Sequence, residues 1–243
     1  MEKLHKFREI IDRQLQLCLQ QKATLEAVKD VLKQVVRSGN IIHMFGTGHS
    51  HAATEEFFYR AGGLVCVNAI LEEPLMLHIG GQVSSVLERI ENYAELILQK
   101  HNTSPQDAMI IFSNSGINAV PVEMAIRAKK RKIPVIAFTS VKSYSTMPPR
   151  SSTGKHLYEV SDYVIDTGIP YGDASIELSD GTKVAPTSSI VNCTLMHGIL
   201  AQLAYELVEE GEKIPVFTSA NTHGGKERNE AYISQYRSRV RSL

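Results

Sequence analysis

IIHMFGTGHS at residues 41–50 and AMIIFSNSGIN at residues 108–118 decide the fold. Each is a short apolar run that passes directly into a turn of glycine, hydroxyl and amide residues. Short runs this apolar, without helical spacing, fit a strand buried on both faces. A helix is expected after each turn, over 51–61 in the first case. In the second, Asn118 stands where an N-cap is needed and Pro121 falls in the first turn, where its missing N–H is tolerated. That helix ends on Lys129, Lys130, Arg131 and Lys132, cations suited to the negative end of a helix dipole. A unit of strand, turn and helix that occurs twice implies a parallel sheet covered by helices on both sides.

The flanking segments extend this pattern. Leu4, Phe7, Ile10, Ile11, Leu15 and Cys18 recur at steps of three and four, as do Leu25, Val28, Val31, Leu32, Val35 and Val36. Two helices over 4–38, or one broken near Lys22, are predicted, with Gly39 as the stop. Further strands are expected at 64–67, 134–138 and 162–166, and helices at 84–100 and 188–209. Residues 174–185 alternate around Asp180-Gly181, a hairpin signal. From Ile214 the chain is irregular, then basic and helical. The fold class is α/β: a doubly wound five-stranded parallel sheet with N-terminal helices. One domain over 1–243 is expected, with 1–38 as N-terminal helices and 214–243 as a tail packing on the domain or on a neighbouring subunit.

Composition narrows the function. The 243 residues carry 26 Lys plus Arg against 26 Asp plus Glu, so bulk attraction to nucleic acid or to an anionic membrane is not expected. There is no uninterrupted apolar stretch of about 18 residues to cross a membrane. The opening MEKLHKFREIIDRQ lacks the apolar core of a secretory signal. Cys18, Cys66 and Cys193 are far apart, odd in number and set among apolar neighbours. They read as buried free thiols in a reducing cytoplasm.

Ligands of parallel sheets bind at the carboxyl ends of strands. There the two turns offer glycines, hydroxyls and backbone N–H groups, a combination that binds anions and phosphate above all. The first turn matches a dinucleotide fingerprint only in part, which leaves nicotinamide binding a minor alternative, because His51 stands where the third glycine belongs and Asn68 where an acid is needed. A Walker phosphate loop is absent.

The strings FGTGHSHAATEEFFYRAGGL, SNSGINAVPVEMA and SANTHGG resemble the sugar isomerase (SIS) domain. The resemblance is to a bacterial family of stand-alone SIS proteins without an assigned reaction, and more distantly to phosphoheptose isomerase and N-acetylmuramic acid 6-phosphate etherase. It implies that Gly46, Thr47, Gly48, His49 and Ser50, with Ser113, Asn114, Ser115 and Asn118, bind a phosphosugar. Ser50, Ser113, Ser115 and Ser188 would hold its phosphate. Asn118 stands where this family often has Ser or Thr, and its amide can still donate to an anion.

Isomerisation needs a base to move a proton between adjacent carbons, and often a second group to open the ring. Glu55 and Glu56 follow the first turn and point about 100° apart, so at most one faces a pocket. An ion pair of Glu56 with Arg60 is the competing reading. Glu72 and Glu73 follow the second strand, in a place that resembles an acidic segment of glucosamine-phosphate synthases. Glu88 and Glu91 are expected on a solvated helix face, and His197 in the core of the last helix. His223 lies beside glycines and could fold over a pocket, its own or a neighbour's, or stay a surface loop. The base candidates are therefore Glu56 and Glu73, with His223 for ring opening. No cofactor is expected. His49 and His51 could ligate a divalent metal, but Arg60 stands where a ligand of the phosphoheptose isomerase site would fall.

The resemblance implies a phosphosugar-binding protein, with aldose–ketose isomerisation as the favoured reaction. A phosphosugar sensor acting on another protein and an etherase or lyase are the alternatives. No DNA-binding module is expected, since residues 1–40 are too short and insufficiently basic. Apolar residues on several helix faces (Leu15, Leu17, Cys18, Leu19) imply a homodimer or a dimer of dimers.

Overall fold

The computed structural model describes residues 1–243. Helices α1 (Glu2–Leu19) and α2 (Lys22–Arg37) precede strand β1 (Ile42–Gly46). Gly39, at φ +67°, lets Asn40 N–H turn back to the Val35 carbonyl at 2.9 Å and stop α2. There follow α3 (Ser50–Glu56), β2 (Val67–Ile70), α4 (Gly81–Leu87), α5 (Tyr93–Gln99), β3 (Ala108–Phe112) and α6 (Ala119–Lys130). Then come β4 (Val135–Thr139), α7 (Val141–Tyr144), α8 (Leu157–Val160), β5 (Tyr163–Asp166), the hairpin β6–β7 (Ile176–Glu177 and Lys183–Val184), α9 (Ser188–Glu209) and α10 (Gly225–Tyr236).

The five main strands are parallel, in the order β2-β1-β3-β4-β5. Their side chains alternate between two cores, as the two-residue period requires. Met44, Ile110, Phe112, Ile136 and Phe138 face the core built with α2 and α9. Phe45, Met109, Ile111, Val135 and Ala137 face the core built with α5 and α6. Burial on both faces is why these strands are mostly apolar, and the buried polar side chains His43 of β1 and Asn68 of β2 hydrogen-bond each other at 2.8 Å.

Three elements differ from the sequence expectation. The helix after the first turn ends at Glu56 rather than 61, because Tyr59 takes a positive φ of 49° and redirects the chain. The helix expected over 84–100 is two, separated where Asn92 adopts φ +64° and donates its N–H to Glu123. The second strand covers 67–70, not 64–67, so Asn68 lies inside it. Leu64 and Val65 pair instead with the tail: Val65 N–H donates to Pro215 O at 2.7 Å and Phe217 N–H to Gly63 O at 2.9 Å. Cys18 and Cys66 are buried, whereas Cys193 is only half-buried.

The tail is fastened at the amino ends of the strands by one buried carboxylate. Asp107 accepts from the Ile41 and Ser104 amides, from His43 Nε2 and, with both oxygens, from Arg239 at 2.7 and 2.9 Å. Burial pushes its carboxyl up, but the His43 and Ile41 hydrogen bonds outweigh this and hold it below the ordinary 3.8. The folded state therefore binds this proton less readily than the unfolded state. The stability it contributes is present above pH 3.8 and is lost as pH falls through the folded value. Asp107→Ala is expected to cost about 3 kcal/mol in urea unfolding at pH 7, since it leaves Arg239 and two amides unpaired. The gap to wild type should narrow as the titration is repeated at lower pH. A gap that stays constant into acid would show that the carboxylate charge contributes nothing.

Candidate functional site

Gly46 lies opposite Phe112 in the register, so the turns after β1 and β3 leave the sheet at the same level. In the first turn a Cβ on Gly46 would lie 2.5 Å from the Ser50 carbonyl oxygen, so only glycine lets α3 start this close to the strand. Gly48, at φ +56°, makes the turn and donates its N–H to Leu75 O. Thr47 is buried, and its hydroxyl donates to a carboxylate oxygen of Glu88 at 2.8 Å. The Ser50 amide bonds Thr47 O, while the Ser50 hydroxyl and the amides of Thr47 and His49 bond nothing within the chain. His49 is exposed.

The second turn is braced from three sides. Ser113 N–H donates to Phe138 O, and Ser113 Oγ accepts from Gly116 N–H at 3.3 Å. Asn114 O accepts from the Ser140 amide and the Thr139 hydroxyl. Gly116 sits at φ +61°, where a Cβ would meet Thr139 Oγ1 at 2.7 Å. Leu157 N–H donates to Gly116 O and Arg150 N–H to Ile117 O, each at 2.8 Å. The amides of Ser115, Ile117 and Asn118 and the Ser115 hydroxyl remain without partners in the chain. Asn118 is the N-cap of α6, as expected, yet its side chain does not bond the helix; its Oδ1 accepts from Arg150 at 3.3 Å.

Glu88 joins the two turns. Its carboxylate holds Thr47 and its carbonyl accepts Val120 N–H from the first turn of α6 at 3.0 Å. The expectation of a solvated helix face is thus corrected for Glu88, while Glu91 is exposed as expected but lies between α4 and α5 rather than on a helix. Helix α4 stops at Leu87, which turns Glu88 inward, and Glu91 accepts from the Ser152 amide and hydroxyl. Nothing in local spacing announces either contact.

Ser188 begins α9, but its donors are engaged. Asp173, itself at φ +48°, accepts from the Thr187 and Ser188 amides at 3.0 and 3.1 Å and from the Ser188 hydroxyl. A carboxylate already occupies the place where Ser188 would meet a phosphate.

Among the acids, Glu56 pairs with Arg60, as one reading expected, and also with His197 Nε2 at 2.9 Å. His197 is exposed rather than core: it stands on the outer face of α9, with its ring 4.5 Å from that of Phe57. Beside this group lies an open cleft of about 500 Å³ lined by Ala52, Glu55, Glu56, Phe58, Arg60 and Ala61. Glu72 is fixed by the Tyr93 hydroxyl and Lys100, whereas Glu73 is exposed at the carboxyl edge of the sheet. His223 is exposed in the loop before α10, and that loop follows the strand pairing of the tail with residues 63–65, ahead of β2. No hydrogen bond or ion pair joins it to either turn of its own chain.

His51 is buried, and burial lowers its pKa below the ordinary 6.5, so the ring stays neutral at pH 7. No three His, Cys, Asp or Glu side chains gather as metal donors, and Arg60 takes the Glu56 carboxylate. These residues do not fit a metal centre within one chain.

The two glycines of the first turn separate steric from conformational demand. Gly46→Ala is expected to cost about 3 kcal/mol through overpacking against the Ser50 backbone. Gly48→Ala, with open space around it but a positive φ, should cost about 1 kcal/mol. Thermal unfolding of both variants checks the order, and the reverse order would refute this reading of the turn.

A family model described as "SIS domain" matches residues 6–140. UPF0309 protein GK1441 of Geobacillus kaustophilus is 36% identical over 239 residues, 98% of this chain and 95% of the relative. UPF0309 protein TTE0306 of Caldanaerobacter subterraneus subsp. tengcongensis is 40% identical over 226 residues, 90% of this chain and 92% of the relative. Among solved structures, phosphoheptose isomerase GmhA from Neisseria gonorrhoeae superposes with a TM-score of 0.57 at 15% identity, over 84% of this chain and 98% of that one. A phosphoheptose isomerase from Francisella tularensis gives 0.55 at 11% identity, over 83% and 96%. The NanR protein of Vibrio vulnificus, solved with ManNAc-6P, gives 0.50 at 15% identity, over 86% and 64%. With its sheet order, its two glycine turns and these full-length relatives, the chain belongs to the SIS domain family, beside the UPF0309 proteins.

Proposed function

We propose that the protein binds a phosphorylated sugar across the two turns and interconverts its aldose and ketose forms. The observation that carries this reading is the set of unpartnered donors at one sheet edge: the hydroxyls of Ser50 and Ser115 and the amides of Thr47, His49, Ser115, Ile117 and Asn118. Backbone amides without partners are costly unless they face solvent or an anion. The likeness to phosphoheptose isomerases and to a ManNAc-6P complex supports the choice of a phosphosugar.

From Ser50 to Glu56 the helix rises about 9 Å, a length that a sugar-phosphate chain can span. With phosphate at the turns, the sugar carbons reach the cleft beside Glu56. There a carboxylate can take the C2 proton while His197 hands a proton to O1, giving the enediol. Loss of the O2 proton to His197 and return of the carbon-bound proton to C1 complete the ketose. The chain's own residues perform these steps, without a cofactor. Glu73 is the alternative base. His223 would act only on a second copy of the chain, since it meets neither turn of its own.

A homodimer, or a dimer of dimers, accompanies this proposal. An apolar groove of about 400 Å³ between α1, α2 and α9 is lined by Leu15, Leu19, Leu25, Leu195 and Ile199. Leu17, Ile190, Tyr205 and Val208 are also exposed. No helix is long and apolar enough to cross a membrane, and three free thiols suit a reducing cytoplasm. One observation favours a non-catalytic sensor instead: Arg60 and His197 both hold the Glu56 carboxylate.

Calorimetry on a hexose, hexosamine, heptose and pentose phosphate panel tests binding. Ser115→Ala should weaken it by about 1–3 kcal/mol, the cost of a hydrogen bond to a charged group. Unchanged affinity in both Ser115→Ala and Ser50→Ala would remove the cradle. Proton exchange at C1 and C2 in D₂O, followed by NMR, tests catalysis. Glu56→Gln should slow it about 10²–10⁴-fold while affinity is retained. Exchange that survives Glu56→Gln but not Glu73→Gln moves the base to Glu73. Tight binding with no exchange by wild type leaves the sensor.

A further inference from the structure

The donors of both turns are neutral, and three carboxylates hold residues at this edge. Glu88 holds Thr47, Asp173 holds Ser188, and Glu91 holds Ser152. The N-terminus of α6 is also depleted of donors, since Val120 N–H is taken by Glu88 O and Pro121 has none. A phosphate placed here would carry close to two negative charges beside these carboxylates, with amides and hydroxyls alone against them. One cation touches a turn directly. Arg150 Nη1 donates to Asn118 Oδ1, and the guanidinium pairs with no carboxylate.

The backbone of Arg150 is held in place. Its N–H donates to Ile117 O at 2.8 Å within the second turn, and Pro148 and Pro149 stiffen the approach. On its other side the Ser152 amide donates to Glu91, and His156 Nε2 lies 2.8 Å from Met147 O. The segment between α7 and α8 is therefore fixed against the second turn, with the guanidinium at the α6 cap.

We propose that Arg150 is a substrate-binding residue that supplies the positive charge for the phosphate at the second turn and, through Asn118 Oδ1, turns the Asn118 NH₂ toward the same anion. The inference rests on the phosphosugar reading. It explains how asparagine serves where the family often has Ser or Thr. With the carbonyl end of the amide held by arginine, only its donor end is free. A guanidinium is suited to this double task because its fork can bond a carbonyl and a phosphate oxygen at once.

The probe is inorganic phosphate, titrated by calorimetry into the full chain. Arg150→Gln should raise Kd at least tenfold, as expected for loss of a charge-assisted contact. Arg150→Lys, which keeps charge without the fork, should fall between. Asn118→Asp should weaken binding at least as much, because its carboxylate would neutralise Arg150 and repel the anion. Phosphate affinity of Arg150→Gln within twofold of wild type would overturn the proposal. A measurement on wild type alone guards against misfolded variants. Phosphate should protect Arg150, but not the exposed Arg13, from phenylglyoxal as read by peptide mass spectrometry, and equal modification with and without phosphate would overturn the proposal. Phosphate binding that depends on Arg150, in a protein that binds no member of the sugar phosphate panel, would keep this inference and remove the proposed function. Sugar phosphate binding indifferent to Arg150→Gln would do the reverse.

Discussion

Strands β1 and β3 lie side by side, yet the chain leaves them in opposite directions across the sheet: β1 leads outward to β2, and β3 to β4 and β5. The turns that follow them therefore separate, and a crevice opens between them that no connection crosses. Parallel sheets place ligands at such a reversal. Most of what is particular to this molecule serves to hold that crevice open at a fixed width. Gly46 lets α3 begin against its own strand, Gly116 lets the second turn approach Thr139 and Leu157, and Glu88 ties the first turn to the start of α6. Two positions without a side chain, and one glutamate whose carboxylate holds the first turn while its carbonyl holds the start of α6, set the two turns as a pair.

The two ends of the sheet are treated in opposite ways. At the amino end every lone pair of Asp107 is engaged, and the chain is sealed by the tail. At the carboxyl end, amides and hydroxyls are left without partners and the nearby carboxylates hold neighbours in place. Stability is concentrated at one end so that the other can keep unsatisfied donors, each of which taken alone weakens the fold. Asp173 marks the limit of that tolerance: at α9 the chain supplies its own anion rather than leave the helix start open.

The central strands and both turns could be read from the sequence because their causes are local. A doubly buried strand is mostly apolar, and a turn that brings a helix this close to its strand needs glycine. What could not be read depends on residues far apart. Leu64-Val65-Cys66-Val67 looks like a strand, and its first half does form strand-like bonds, but to residues 215–217, a partner that only the folded chain supplies. The inward turn of Glu88 follows from the early stop of α4 and from where α6 begins, not from any spacing around Glu88. His197 sits in an apolar string yet faces outward, because the other side of α9 carries Leu195, Met196, Ile199 and Leu200 into the core. Arg150 lies in a proline-rich stretch with no periodicity, so nothing in its surroundings distinguishes it from a solvated loop cation.

The clasp at Asp107 has a consequence for how the chain is made. Arg239 follows Asp107 by 132 positions, and the strand partner of residues 63–65 lies almost as far along the chain as Arg239 does. At ordinary rates of synthesis, roughly seven to twenty-six seconds separate the appearance of the acid from that of its partner. During that interval β3, β4 and β5 are made before the closing segment is, and the amino end of the growing sheet exposes a carboxylate and edge amides meant for burial. The ribosome-bound chain is thus a different colloidal object from the finished one. Its window of vulnerability to chaperones, proteases and other nascent chains is set by the distance between two residues.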